Sequence, residues 1–357
     1  MKIIFILPGI GLSGGVKAVF KFANCLKKRG HDISIVYPFI PLKSGSKWYN
    51  LKKMVGRFKG SVANLMKENY VDWFDLKTKL IKVPTLTEKY IPDADIVVAT
   101  WWETAYYVSK YSKNKGKKFY LAQHYETWGG PKKRVNGSYK LGLRIIANSR
   151  WLKNVLKEKL NVDVEAVILH SPDREEFYPE DRSEADGVIR ILMPYRDQDW
   201  KGSKDGIKAF QIVKEKFPNT QLVMFGPETK ERIPIDVEYY KSPSNSKLRE
   251  IYNLCDIFLF PSWHEGFGMP PMEAMACKLA VVTTNVGAVS EYAISGKTAL
   301  VSSPKIPKAL AKNIIRLITD NGLRERVANN GYKYIQRFTW IKATDQLEEL
   351  FLGKKLN

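Results

Sequence analysis

At 357 residues, with 44% hydrophobic and 27% charged residues, the chain has the composition of a soluble globular protein and enough length for two domains with separate cores. Its cysteines, Cys25, Cys255 and Cys277, are odd in number, scattered and without metal-ligand spacing, so neither a disulfide framework nor a thiolate metal site is expected. No apolar run is long enough to span a bilayer, and the net charge of +21 is unevenly placed: residues 1–170 hold 31 basic and 12 acidic side chains, and the rest hold 27 and 25. An anionic surface or substrate is therefore expected to meet the first half, and nucleic acid and anionic lipid both fit the charge alone.

Ile3 to Leu7 is a continuous apolar run, as in a parallel strand covered on both faces. Pro8 and the glycines after it cut the run short, which favours a buried first strand over a signal peptide. Gly9, Gly11 and Gly14 match a dinucleotide fingerprint, and the helical periodicity of Val16 to Lys28 with a second strand at Ile33 to Tyr37 makes the opening a βαβ unit. That second strand runs into Pro38 with no acid to hold a ribose, so the fingerprint is weak, but Gly14 and Gly15 still let backbone approach a phosphate. Residues 41–92 read as an elaborated connection. Within it, Trp48, Leu51, Val55, Phe58, Val62 and Leu65 form one helical stripe over 47–67 with basic residues on its flanks. Such a helix either lies on an anionic membrane or packs on the first domain.

Further strands are expected at 95–100, 119–122 and 145–149. His124 follows the second of these at its carboxyl end, where open α/β sheets place ligands, and the basic loop Lys132, Lys133 and Arg134 comes soon after. Ser149 is placed to cap a helix over 151–160. A Pro-containing, charged connection at 170–187 separates a second domain. There a strand at 188–193 leads into Arg196 and Lys201, a fork and a point charge suited to a diphosphate, ahead of a helix at 204–216. Asp197 and Asp199 suggest a metal pair, but the adjacent Arg196 and Lys201 oppose a cation, so they are read as turn formers.

The second domain is organised around 261–276. After the apolar strand Ile257 to Phe260, Gly266 and Gly268 turn the chain, and Pro270 and Pro271 suit a first helical turn. Glu265 lies in the loop and Glu273 is expected in that first turn, near free amides that favour an anion. A strand at 280–284, helices at 306–320 and 322–338, and an amphipathic helix at 340–352 complete the chain.

Taken together, Glu265-x7-Glu273 within Pro261-Ser-Trp-His-Glu-Gly-Phe-Gly, Arg196-x4-Lys201-Gly, Asn148-Ser149 and Gly14-Gly15 resemble the GT-B glycosyltransferases, in particular the retaining enzymes of family 4. The resemblance implies an α/β, GT-B fold with two facing Rossmann-like domains of mainly parallel sheets. Residues 1–172 would bind the acceptor, 187–339 the nucleotide-sugar, and a last helix at about 340–357 would cross back to the first domain. By position, Arg196 and Lys201 would hold the diphosphate, Glu273 the ribose, and Glu265 the transferred sugar. Backbone at Phe267, Gly268 and Met269 would cradle sugar and phosphate, Gly14 and Gly15 would close from the other domain, and His124 would lie near the reacting centre. The Pro194-Tyr195 ahead of Arg196 departs from the Gly-Arg that the family often has there, which leaves the sugar open.

The implied activity is metal-independent transfer of a sugar from a nucleotide diphosphate sugar to a glycan or lipid-linked acceptor, with no cofactor and no nucleic-acid partner. A cytoplasmic protein is expected, with peripheral contact to the inner face of the membrane through 47–67 as one reading of that helix. The alternatives are an NAD(P)-dependent Rossmann oxidoreductase and a non-enzymatic anionic-surface protein.

Overall fold

A computed structural model describes residues 1–42, 71–181 and 186–354, so the stripe at 47–67 lies outside the described residues. The chain divides into two compact units, one of residues 1–170 with 340–357 and one of residues 171–339.

The first unit is built on seven parallel strands, β1 (Lys2–Ile6), β2 (Asp32–Pro38), β3 (Lys79–Val83), β4 (Ile96–Ala99), β5 (Lys117–Ala122), β6 (Arg144–Ala147) and β7 (Ala166–Val167), in the order β3-β2-β1-β4-β5-β6-β7. The middles of the inner strands, as in β1, β4 and β5, are almost wholly buried because both faces are covered, which is why they read as apolar runs. On one face lies the helix Gly14–Lys28, whose Val16, Val19, Phe20, Ala23 and Leu26 pack with Phe5, Ile35 and Phe119. The helix Trp340–Phe351 joins the same core through Ala343, Leu347, Leu350 and Phe351. The opposite face buries Trp102, Ala105 and Val108 of the helix Trp102–Ser109 and Leu152 and Leu156 of the helix Arg150–Leu160. Ser13 and Ser149 cap two of these helices, accepting from the amides of Val16 at 3.3 Å and Leu152 at 3.1 Å. At the outer end of the final helix, His31 Nε2 meets Glu348 Oε1 at 2.7 Å.

The second unit carries six parallel strands, β8 (Ile189–Pro194), β9 (Thr220–Gly226), β10 (Glu238–Lys241), β11 (Ile257–Phe260), β12 (Ala280–Thr284) and β13 (Leu300–Ser302), ordered β10-β9-β8-β11-β12-β13. The helices Ser203–Lys216 and Pro307–Thr319 cover one face through Ile207, Phe210, Val213, Leu310, Ile314 and Leu317. The helices Asn245–Leu254, Met269–Ala276 and Asn321–Ile335 complete the unit.

Both sheets reverse their winding direction once, between β1 and β4 in the first and between β8 and β11 in the second. At such a reversal the loops leaving the two neighbouring strands diverge and open a crevice at their carboxyl ends, the usual ligand position in an open α/β sheet. In the first unit that edge is made by the loops after β1 and β4, and in the second by those after β8 and β11.

Candidate functional site

In the second unit the two diverging loops are tied together. The loop after β8 holds Arg196, a turn of 3-10 helix at Asp199–Lys201, and Gly202, whose φ of +67° ends that turn. A side chain at Gly202 would meet the Pro261 carbonyl oxygen at 2.0 Å, so glycine is required where the two loops touch. Across this contact the Trp263 amide donates to the Trp200 carbonyl at 2.7 Å, and Trp263 Nε1 donates to Asp205 Oδ2 at 2.7 Å.

The result is a small polar centre. Lys201 Nζ lies 2.7 Å from Glu265 Oε1, and Ser262 Oγ donates to that same oxygen at 2.7 Å. Glu265 and Ser262 are buried while Lys201 is about one third exposed, so the pair opens to solvent from the lysine side. Behind it, the Glu265 backbone is pressed by Gly287, at which an added Cβ would stand 1.9 Å from the Glu265 carbonyl oxygen. The Ala288 amide donates to the Gly266 carbonyl at 3.1 Å. Arg196 sits beside this centre, its Nη1 donating to the Tyr195 carbonyl at 2.9 Å. Burial lowers its guanidinium from the usual value, against the opposing pull of Tyr239, Glu228 and Glu265.

Asp197 and Asp199 are engaged elsewhere, by Arg232 Nη1 at 3.0 Å and Lys204 Nζ at 2.9 Å. Among the described residues no group of three His, Cys, Asp or Glu side chains could hold a metal ion.

The glycine turn continues into the helix Met269–Ala276. Gly268 caps it with φ +76°, and Tyr292 Oη donates to the Gly268 carbonyl at 2.6 Å while its ring lies 6.0 Å from that of buried Phe267. One expectation needs correcting: Glu273 is not in the first turn. The helix starts at Met269 with Pro270 and Pro271 next, so Glu273 falls one turn further in. There it is buried and lies within 3.2 Å of Tyr252 Oη. Dipole complementation at the helix start therefore does not account for this acid, since that effect fades beyond the first turn.

In the first unit the loop after β1 leads into Gly14 and Gly15 at the start of their helix. Gln123 Nε2 donates to the Gly15 carbonyl at 3.2 Å, which joins that turn to the end of β5 and so to His124. Asn148 Nδ2 holds the Gln123 carbonyl at 2.7 Å, and Tyr139 Oη holds that of His124 at 2.9 Å. The half-buried His124 ring receives Trp128 Nε1 on Nδ1 at 3.3 Å and lies 5.8 Å from the Trp151 ring.

Sequence reasoning brought Glu265, Lys201 and Arg196 forward but missed Ser262, Tyr292 and Gln123, which hold them or their counterparts in place. For Ser262 a signal existed, three residues before Glu265 in the same loop. For Tyr292 and Gln123 there was none, because their partners are far away in sequence.

A sequence profile of the group 1 glycosyl transferases matches residues 174–334. Among curated relatives, the capsular polysaccharide biosynthesis glycosyltransferase CapM of Staphylococcus aureus is 29% identical over 161 residues, which cover 42% of this chain and 42% of the relative. The chain thus spans less than half of that relative's length. Among solved structures, sucrose-phosphate synthase of Thermosynechococcus elongatus superposes with a TM-score of 0.74 at 16% identity, covering 99% of this chain and 98% of the other. Anabaena HepE, in complex with UDP and glucose, gives a TM-score of 0.74 at 15% identity over 99% of this chain and all of HepE. Such identities carry the fold alone: the chain has the GT-B fold, and within its second unit residues 174–334 match the profile of the group 1 glycosyl transferases.

Proposed function

We propose that the chain is a retaining glycosyltransferase that moves a sugar from a nucleotide diphosphate sugar to a hydroxyl of a glycan or lipid-linked acceptor, with the donor held by the second unit. The observation that carries the reading is the centre made by Lys201, Glu265 and Ser262, with Arg196 beside it, at the winding reversal of the second sheet. A cation facing a buried carboxylate suits a ligand that is anionic at one end and hydroxylated at the other. The binding of UDP and glucose by HepE, which has the same fold, supports a nucleotide sugar as the donor class.

In the proposed reaction the bond between the anomeric carbon and the diphosphate oxygen breaks, and its electron pair leaves with the nucleotide. Arg196 and Lys201 stabilise the charge that develops there, a role a metal would otherwise fill. The acceptor oxygen attacks from the face that the phosphate leaves, and its proton passes to the departing phosphate oxygen. Glu265 orients the sugar and favours its oxocarbenium character, Glu273 binds the ribose, and the backbone of Phe267, Gly268 and Met269 lines the sugar and phosphate. On the first unit, Gly14 and Gly15 are assigned to the nucleotide sugar and His124 to the reacting centre. The basic sequence 47–67 supports contact with an anionic membrane surface, to be checked by flotation on phosphatidylglycerol vesicles.

The test is a hydrolysis screen over UDP-, GDP-, dTDP- and ADP-sugars with and without a chelator. Turnover of one donor class, unaffected by the chelator and lost in Arg196→Ala, is expected. Loss of turnover with the chelator rejects metal independence. Binding of NAD with no turnover of any donor rejects the transferase.

A further inference from the structure

The winding reversal of the first sheet is lined very differently from that of the second. The loop after β4 begins Thr100-Trp101-Trp102, and the loop after β5 runs through His124, Tyr125, Trp128, Gly129 and Gly130. Trp101 and Trp128 lie 5.4 Å apart between ring centroids, and His124 bridges Trp128 at 6.1 Å to Trp151 at 5.8 Å. The glycine pair exists to let this loop lie on the indoles. A Cβ at Gly129 would stand 2.7 Å from the Trp101 ring, and one at Gly130 would stand 2.5 Å from that of Trp102.

This ledge is fixed and open at once. Trp128 is 51% exposed although its Nε1 is hydrogen-bonded to His124, so its ring is displayed in a set orientation. Within the ledge, Trp101 Nε1, Trp102 Nε1 and Gln123 Oε1 are buried and have no hydrogen-bond partner among the described residues. Indole faces pack well on the C–H faces of pyranose rings, and rigid aromatic side chains lose little entropy when they do.

The surroundings are basic. Lys132, Lys133 and Arg134 are exposed at the start of the helix Lys132–Ser138, whose first turn contains no acid. The Arg134 guanidinium lies 5.4 Å above Trp102 and 5.7 Å from the Tyr106 ring, and its charge acts on half-buried Glu103. Lys159 lies over Tyr125 at 5.4 Å, and the helix that carries it also begins without an acid.

We infer that this aromatic ledge is the acceptor-binding surface of the first unit, and that the acceptor is an acidic glycan: a pyranose stacks on Trp128 while a carboxylate or phosphate on the same saccharide meets Lys132, Lys133 and Arg134. The inference rests on the transferase reading above for the word acceptor, but its binding claim stands on the ledge alone. A lipid surface is the competing occupant for tryptophans beside lysines. The position at the carboxyl ends of β4 and β5, and the hydrogen-bonded seating of Trp128, favour the saccharide.

The test uses the full chain and follows tryptophan fluorescence and calorimetry with tetragalacturonate, a phosphorylated mannan fragment, neutral maltotetraose and phosphatidylglycerol vesicles. At least one acidic saccharide is expected to bind ten-fold or more tightly than maltotetraose. That binding should weaken ten-fold or more in Trp128→Ala and lose its preference for acid in the combined Lys132→Ala, Lys133→Ala, Arg134→Ala variant. Absence of binding by every saccharide overturns the inference. So does equal binding of neutral and acidic saccharides, or vesicle binding that Trp128→Ala abolishes while saccharide binding is absent. The donor-hydrolysis screen is run on the same preparation: a chain that turns over a nucleotide sugar but ignores acidic saccharides refutes this inference and leaves the transferase intact.

Discussion

The two winding reversals of this chain have the same strand logic and opposite chemistry. Between β8 and β11 the diverging loops bring a cation, a buried carboxylate and a serine hydroxyl onto one oxygen, Glu265 Oε1. Between β1 and β4 they bring glycine backbone on one side and Trp101 on the other, with Trp128 and His124 next in line. The sheet decides where a ligand can sit, and the loops decide what kind. Charge held in a polar cluster suits a group that gains negative charge during reaction, whereas rings and exposed cations suit a saccharide that only has to be held.

The largest expected effect tests the charged reversal. Arg196→Ala and Lys201→Ala should each lower kcat for donor turnover by about 10²–10³-fold, the scale for losing one preorganised stabiliser of developing charge. Their effect on saccharide binding to the ledge should be negligible, measured by the same fluorescence titration. A fall in donor turnover of less than two-fold for both would make the second reversal no more than a structural ion pair.

A smaller effect separates the two contacts that share Glu265 Oε1. Ser262→Ala removes one donor to Oε1 and leaves Lys201 in place, so the carboxylate is held less firmly but stays paired. A hydrogen bond to a charged group contributes about 1.5–3 kcal/mol, so kcat should fall by roughly ten-fold to a hundred-fold. The donor KM should be little changed, and Ser262→Thr should recover most of the loss. If both variants instead lower stability without touching kcat, Ser262 only supports the loop.

Gly287→Ala sharpens the same point through the backbone. Its φ of +53° and a Cβ position 1.9 Å from the Glu265 carbonyl force the loop bearing Glu265 to move. Strain of this type costs about 2 kcal/mol, read as a Tm lowered by roughly 4–8 °C for a unit of this size. An unchanged Tm would show that the loop yields freely.

These contrasts were unequally legible in the sequence. The strands at β1, β4, β5, β11 and β12 were plain because burial on both faces leaves an unbroken apolar run, and Gly268 with Pro270 and Pro271 announced the turn and the helix after it. The edge strands β3 and β10, Lys-Leu-Ile-Lys-Val and Glu-Tyr-Tyr-Lys, escaped notice because an edge needs no such run and tolerates charge. The helix Trp102–Ser109 was missed as well: it is short, and it starts at a tryptophan, not at a hydroxyl cap. Glu265 and Lys201 could be named, while Ser262, the donor to Glu265 three residues before it in the same loop, was passed over. The aromatic ledge stayed invisible because Trp101, Trp128 and Trp151 follow three different strands, β4, β5 and β6, and only the order of the strands brings them together.

The smallest effect concerns the support beneath that ledge. Glu126 is buried between the loops that bear Trp102 and Trp128, accepting from the Trp102 amide at 3.0 Å and lying 3.2 Å from Tyr120 Oη. Burial pushes its carboxyl well above the usual range, and the two hydrogen bonds only partly oppose this. An acid raised on folding keeps its proton where the unfolded chain has already lost it, so stability falls as pH rises above about 4.3, the ordinary glutamate value. Glu126→Gln keeps the shape and the acceptor but has no proton to lose. Its Tm relative to the parent chain should therefore climb as pH rises above about 4.3, while acidic-saccharide binding at about pH 6 changes less than three-fold. Parallel Tm curves for the two proteins would mean that Glu126 is ionised in the folded chain. The ledge would then carry a negative charge beneath its rings, and its preference for an acidic partner would have to come from Lys132, Lys133 and Arg134 against that charge.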